Sequence, residues 1–120
     1  MAYRVVLVGT DGSAPAIAAV DQAARVALAF GARLVVAGSD DAQVRAGVET
    51  ARDVGVTDVG SRTLTGEPAG ALRAAAEDDG AELLVVGAQG TTGAQHTLGR
   101  VANAVSHHAP CDLLIVVPTS

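Results

Sequence analysis

The sequence contains no lysine and no tryptophan, and only one tyrosine, one phenylalanine and one cysteine. Without a lysine amine the chain has neither a Walker-type phosphate loop nor a Schiff-base nucleophile. A single cysteine cannot form a disulfide within the chain. Aromatic residues make up 2% of the sequence and hydrophobic residues 49%, so valine, alanine, leucine and isoleucine must fill the core. Such side chains suit a parallel sheet covered by helices.

Basic residues are few as well: 13 acidic and 8 basic residues give a formal net charge of −5. A negative surface without a basic stripe repels nucleic acid, so we expect no nucleic-acid partner. No apolar run approaches the roughly 20 residues of a membrane helix. Val5–Val8 is too short for a signal peptide and leads directly into a turn. We therefore expect a cytoplasmic protein without a membrane partner, folded as one domain, 1–120.

Short apolar runs, typical of strands buried on both faces, alternate with helical patterns along the chain. The predicted strands are Val5–Val8, Leu34–Ala37, a segment within Val56–Leu64, Leu83–Val86 and Leu113–Val117. The predicted helices are Ala14–Phe30, Ala42–Val54, Ala69–Asp79 and a helix around Val101–His108. Strand–helix repetition implies right-handed crossovers, so the pattern predicts an α/β fold with an open, doubly wound parallel sheet.

Two glycine-containing stretches directly follow predicted strands: GTDGS at 9–13 and GAQGTTGAQHTLGR at 87–100. In an open parallel sheet, ligands bind beyond the carboxyl ends of the strands. Backbone N–H groups in a glycine-rich turn before a helix can hold an anion without a side-chain cation. Each stretch also has a purely structural interpretation, because glycine makes turns and Asp11 or Ser13 can cap the first helix.

With these segments, the chain resembles the universal stress protein family along its whole length. The matching segments are VLVGTDGS at 6–13, GEP at 66–68, AELLVVGAQGTTG at 81–93 and HAPCDLLIVV at 108–117. The resemblance implies a five-stranded parallel sheet with the strand order 3-2-1-4-5 and helices on both faces. It also implies a homodimer that forms through the last strand, Leu113–Val117.

Many members of this family bind ATP with a loop that has two residues between its first glycines and nine before a Gly-Ser or Gly-Thr pair. Here eight residues precede the later glycine, and an arginine replaces the small hydroxyl residue. The resemblance implies an adenine nucleotide as the ligand: ATP, with Mg²⁺, or a smaller one such as AMP or a cyclic nucleotide. The residues implied at its site are Thr10, Asp11, Gly38, Ser39, Gly87, Gly90, Thr91, Gly99 and Arg100.

Arg100 leaves two functions open. The guanidinium can donate bidentate hydrogen bonds to phosphate oxygens. The protein is then a dimeric stress-response regulator that responds to the nucleotide. The arginine can instead block the pocket, in an interaction protein of the same fold. An arginine in the first turn of a helix is disfavoured by the helix dipole unless an anion or a carboxylate lies nearby. Slow nucleotide hydrolysis ranks last, because no lysine or metal-carboxylate cluster accompanies the loop. We therefore do not expect an enzyme.

Two other features have structural interpretations. Cys111 precedes a buried strand, which is typical of a small core residue. His107 and His108 are adjacent on a helix and point in different directions, so they do not predict a metal site.

Overall fold

In the computed structural model, which describes residues 3–88 and 99–118, strands and helices alternate. The strands are β1 (Val5–Gly9), β2 (Arg33–Gly38), β3 (Val59–Thr63), β4 (Leu83–Gly87) and β5 (Asp112–Val116). The helices are α1 (Ala14–Phe30), α2 (Asp41–Val54), α3 (Pro68–Asp79) and α4 (Arg100–His107). The nine predicted elements are confirmed. The predicted bounds of α1 are correct, whereas those of most other elements are wrong by one residue at one or both ends. In the fifth strand, for example, Asp112 already pairs with Leu83 in the β4–β5 ladder.

The five strands form one parallel sheet in the order β3-β2-β1-β4-β5, which confirms the predicted fold. After β1 the chain builds outward through β2 and β3, and then crosses back to place β4 on the other side of β1. The strand order therefore reverses between β1 and β4, where Val8 lies beside Val85. In such a sheet the carboxyl ends of these two strands diverge and leave a crevice that accepts ligands.

Helices cover both faces of the sheet, and alternate strand residues pack against each layer. Val6 and Val8 belong to the core beneath α1 and α2, whereas Leu7 belongs to the core beneath α3 and α4. Alanines in the helices allow a close approach to the branched residues of the strands. No helix within residues 3–88 and 99–118 is both long and apolar enough to cross a membrane.

Three of the helices begin with a side-chain cap. The Ser13 hydroxyl accepts a hydrogen bond from Ala16 N at 3.3 Å, and the Asp40 carboxylate accepts one from Gln43 N at 3.0 Å. Glu67 caps α3, with Pro68 in the first turn, where a missing N–H costs nothing. These caps satisfy N–H groups that would otherwise lack a partner at a helix start.

Candidate functional site

The loop between β1 and α1 is held by short-range hydrogen bonds at the carboxyl edge of the sheet. Gly12 N donates to Thr10 Oγ1 at 3.2 Å, and Ser13 N donates to Asp11 Oδ1 at 3.0 Å. The side chain of Ser13, together with its backbone N–H, lowers the pKa of Asp11 below the ordinary aspartate value. Asp11 is therefore a fixed, exposed carboxylate at the end of β1, while Ser13 caps the helix.

The end of β2 lies directly against this loop. Thr10 N donates to Ala37 O at 2.8 Å, and a Cβ on Gly38 would lie 2.6 Å from the Thr10 carbonyl oxygen. Only glycine allows that approach. Leu64 N donates to Gly38 O at 2.7 Å, so the β3–α3 connection is joined to the same edge. The carbonyl of Gly38 is thereby occupied, and Ser39 is the exposed residue at this point.

Helix α4 starts differently from the other three helices. Its N-cap residue, Gly99, has φ +84° and ψ 164°, a conformation that only glycine adopts readily, and no side chain caps it among the described residues. Arg100 is the first helical residue and is exposed. Within residues 3–88 and 99–118 no carboxylate forms an ion pair with Arg100, and the sequence of 89–98 contains no acidic residue. The carboxylate neighbour considered from the sequence is thus not found there.

These segments surround a cavity of about 250 Å³ at the carboxyl ends of β1 and β4. The structure brings together at its wall seven of the residues predicted for the site: Thr10, Asp11, Gly38, Ser39, Gly87, Gly99 and Arg100. The other two, Gly90 and Thr91, lie outside the described residues. Asp11 and Arg100 are the charged side chains of the described wall, so the wall offers one anion, one cation and the uncapped start of a helix.

The apolar part of the wall was not predicted from the sequence. Leu64, Pro68 and Leu72 line the side formed by α3 and its preceding connection, and Val101 lines the side formed by α4. Apolar residues of this kind also form the core, so hydrophobicity alone does not distinguish them. The GEP segment at 66–68 is the signal that marks this connection. Glu67 itself directs both carboxylate oxygens to N–H groups of α3.

The remaining candidate residues lie away from the cavity. Cys111 is half-buried and packs against the core beneath α3 and α4, and burial raises the pKa of its thiol. In the described part of the chain, no three His, Cys, Asp or Glu side chains are grouped in a way that would hold a metal ion.

Comparisons with known proteins agree with this fold. The sequence profile of the Universal stress protein family matches residues 37–117. The universal stress protein Rv1636 of Mycobacterium tuberculosis is 35% identical over an alignment of 145 residues, which covers 98% of this chain and 99% of the relative. Because the alignment is longer than the 120 residues here, the relative contains residues without a counterpart in this chain.

Two crystal structures give the same result. That of a universal stress protein in complex with cAMP has a TM-score of 0.86 and 38% identity, and covers 97% of this chain and 98% of the other. That of Rv1636 has a TM-score of 0.71 and 38% identity, and covers 100% of this chain and 98% of the other. With this match of profile, sequence and fold, the chain belongs to the universal stress protein family.

Proposed function

We propose that this protein binds an adenine nucleotide in the cavity between β1 and β4, with the phosphate at the start of α4. The observation that carries the proposal is an arginine and a helix N-terminus at the cavity wall that have, among the described residues, no ion-pair partner and no side-chain cap. The N–H groups of the first helical turn have no partner inside the helix, and the helix dipole favours an anion there. A phosphate supplies that anion, and the Arg100 guanidinium can bond its oxygens.

The other groups of the wall suit the rest of a nucleotide. Asp11 Oδ1 accepts from Ser13 N, which leaves Asp11 Oδ2 to accept a hydrogen bond from a ribose hydroxyl. The base is then placed against Ser39 and the apolar side chains of Leu64 and Leu72, the wall residues that suit an aromatic ring. This orientation places each part of the ligand against the polar, charged or apolar groups of the wall that can bind it.

Within the adenine nucleotides, cavity size and charge favour a ligand with one phosphate. The cavity of about 250 Å³ lies just below the usual range of roughly 300–1,000 Å³ for small-molecule pockets. Its described wall provides one cation, Arg100, against the acidic Asp11. AMP or a cyclic nucleotide carries less negative charge than ATP and therefore requires less compensation. It also needs no space for further phosphates or for Mg²⁺. The relative crystallised with cAMP, at 38% identity, supports this choice.

We infer that the protein acts as a homodimer through its last strand. In the sheet, β5 pairs with β4 along one side, so its other side is an open edge with unpaired backbone groups. Leu113, Leu114, Ile115 and Val116 are half-exposed there, and Val117 is 55% exposed. A second β5 added to this edge would pair the backbone groups and cover the apolar side chains.

Calorimetric titration tests the binding proposal. We expect saturable binding of AMP and cAMP to the purified protein, with weaker binding of the corresponding guanine nucleotides and no release of phosphate from ATP. Ser39→Trp fills the mouth of the cavity and should abolish binding. Ser61→Trp, at an exposed position of the edge strand β3, is the matched control and should bind normally. Absence of binding heat for every adenine nucleotide would overturn the proposal.

Sedimentation analysis tests the dimer. Leu114→Asp places a charge in the middle of β5 and should yield a monomer, whereas Ser61→Asp in the edge strand β3 should leave the dimer intact. Circular dichroism establishes whether each variant is folded. A wild-type protein that sediments as a monomer at every concentration would contradict the inference.

A further inference from the structure

Helix α4 connects the cavity to the open edge of the sheet. Its first residues, Arg100 to Ala102, line the cavity, and it ends at His107. Four residues, 108–111, then lead into β5. The other end of β5 returns to the cavity, because Ala88 N donates to Val116 O at 2.9 Å, immediately after Gly87. Both ends of the α4–β5 segment thus meet the same binding region.

Within the described part of the chain, few interactions hold α4 in place. It has eight residues, of which only Ala102 and Val105 are buried, whereas α1 has 17 residues with six buried and begins with the Ser13 cap. A helix of this length is marginal without tertiary packing. Its side-chain hydrogen bond to α3 is long, with Arg73 Nη1 donating to Ala104 O at 3.4 Å.

Strand β5 packs against the same core cluster as this helix. Leu113 and Ile115 pack in the same core cluster as Ala102 and Val105, on the α3 and α4 face of the sheet. As an edge strand, β5 is paired with β4 alone within the described residues. Opening of α4 would therefore remove part of the cluster against which one face of β5 packs. Among the described residues, this strand already lacks a neighbour on one side. This shared packing couples the stabilities of the two elements.

We propose that α4 and β5 form one cooperative unit whose stability is set by occupancy of the cavity. A phosphate bound at the first turn supplies a partner for the helix N–H groups and for Arg100, so it stabilises α4 from its start. The shared packing then carries the effect to β5, the edge through which a second copy is inferred to bind. A local unit of low stability can transmit a binding event in this way. The inference rests on the proposed function, because it requires a ligand in that cavity.

Amide hydrogen exchange tests the unit, with AMP and cAMP as probes. Without ligand, we expect the amides of α4 and β5 to exchange faster than those of β1 and β2, and with similar opening free energies. Saturating ligand should raise the protection of residues 112–116 together with that of residues 103–107, although neither segment lines the cavity. Protection confined to residues 99–102, with 112–116 unchanged, would overturn the proposal.

Cys111 provides an independent probe, since it is the only cysteine and lies between α4 and β5. Its half-buried thiol should react slowly with a disulfide reagent, at a rate set by opening of the unit. Binding of AMP should lower that rate by the same factor as the gain in β5 protection. An unchanged rate at saturating AMP would contradict the coupling.

Two matched variants separate the effect of this unit on binding from the effect of a general loss of stability. Val105→Ala weakens the anchor of α4, and Val56→Ala removes the same atoms from the opposite side of the molecule, before β3. Because apparent affinity falls with the fraction of competent molecules, Val105→Ala should weaken AMP binding by about threefold to tenfold. Val56→Ala should leave it within about twofold.

The experiments distinguish failure of the cooperative unit from failure of the proposed function. Equal AMP affinities in the two variants would reject the α4–β5 unit. Binding of AMP by the wild-type protein would still leave the proposed function in place. Absence of binding by the wild type would reject both. If Val105→Ala does not fold, the exchange and Cys111 measurements on the wild-type protein still decide the outcome.

Discussion

Gly87, at the end of β4, packs directly against the backbone of Pro15 in the first turn of α1. A Cβ built on Gly87 would overlap the Pro15 carbonyl oxygen and lie 2.6 Å from the carbonyl carbon. The contact involves backbone, which cannot move aside as the end of a flexible side chain can. The first glycine of the glycine-rich stretch is therefore required by the packing of a helix on a strand, whether or not a ligand is bound.

Gly87→Ala should destabilise the fold by about 1–3 kcal/mol, the usual cost of overpacking a tightly packed site. Gly70→Ala is the control: its added Cβ meets only the ends of flexible side chains, Glu67 Oε1 at 3.1 Å and Arg73 Nη2 at 3.9 Å, and alanine is the better helix former. That variant should be as stable as the wild type or more so. Urea denaturation of the three proteins measures the difference, and a neutral Gly87→Ala would show that the backbone adapts.

Glu67 should contribute a pH-dependent part of the stability. Its carboxylate accepts hydrogen bonds from Gly70 N at 2.8 Å and Ala69 N at 2.9 Å, and these N–H groups lower its pKa below the ordinary value of 4.5. Because the pKa is lower in the folded state, the stabilisation is complete above pH 4.5 and is lost as pH falls through the folded value.

We expect Glu67→Gln to be less stable than the wild type at neutral pH, with a difference that shrinks below about pH 4.5. Urea denaturation from neutral to acidic pH gives this difference. Glu77→Gln, an exposed position of the same helix that does not cap it, is the control and should have little effect. A difference for Glu67→Gln that persists undiminished into acid would argue against the charged cap.

Arg100 should distinguish a phosphate ligand from an occluding side chain. If its guanidinium binds phosphate, Arg100→Ala should weaken AMP binding by about 10- to 100-fold, the equivalent of one charged hydrogen-bonding group. Adenosine binding should change little. Arg45→Ala removes the same charge from an exposed site on α2 and should leave both affinities unchanged. Tighter AMP binding by Arg100→Ala would favour the interaction protein with a blocked pocket.

Tyr3 allows a direct test of how β5 is joined to the rest of the fold. Its hydroxyl donates to Asp112 Oδ2 at 2.7 Å, and its ring packs edge-to-face on Phe30 with 5.2 Å between centroids. The hydrogen bond to Asp112 raises the pKa of Tyr3 above its ordinary value of 10.0. This contribution to stability is complete below pH 10.0 and is lost as pH rises through the folded value.

Ultraviolet titration of the phenolate is unambiguous here, because the chain has one tyrosine and no tryptophan. We expect a midpoint above 10.0 in the wild type and a lower midpoint in Asp112→Asn. Asp53→Asn, an exposed position of α2, should behave as the wild type. An ordinary midpoint in the wild-type protein would mean that the contact does not persist in solution.

Elements with local signals at both ends were the most predictable from sequence. Helix α1 has the predicted bounds because Ser13 caps its start and Gly31 ends it with φ +65°. Asp11 could be placed beside the candidate site because strand ends of a parallel sheet meet at one edge. Leu64 and Leu72 could not, since an apolar residue in a cavity wall and one in the core produce the same pattern.

The sequence by itself determined the order of strands and helices, since hydrophobic periodicity, caps and turn residues act over a few neighbouring positions. Through its resemblance to a family, it also indicated which strand ends carry the candidate site. Only the tertiary structure decided that Gly38 abuts Thr10, that Gly87 abuts Pro15, and that no described carboxylate pairs with Arg100. These relationships join segments far apart in the chain, so they depend on how the sheet brings its strand ends together.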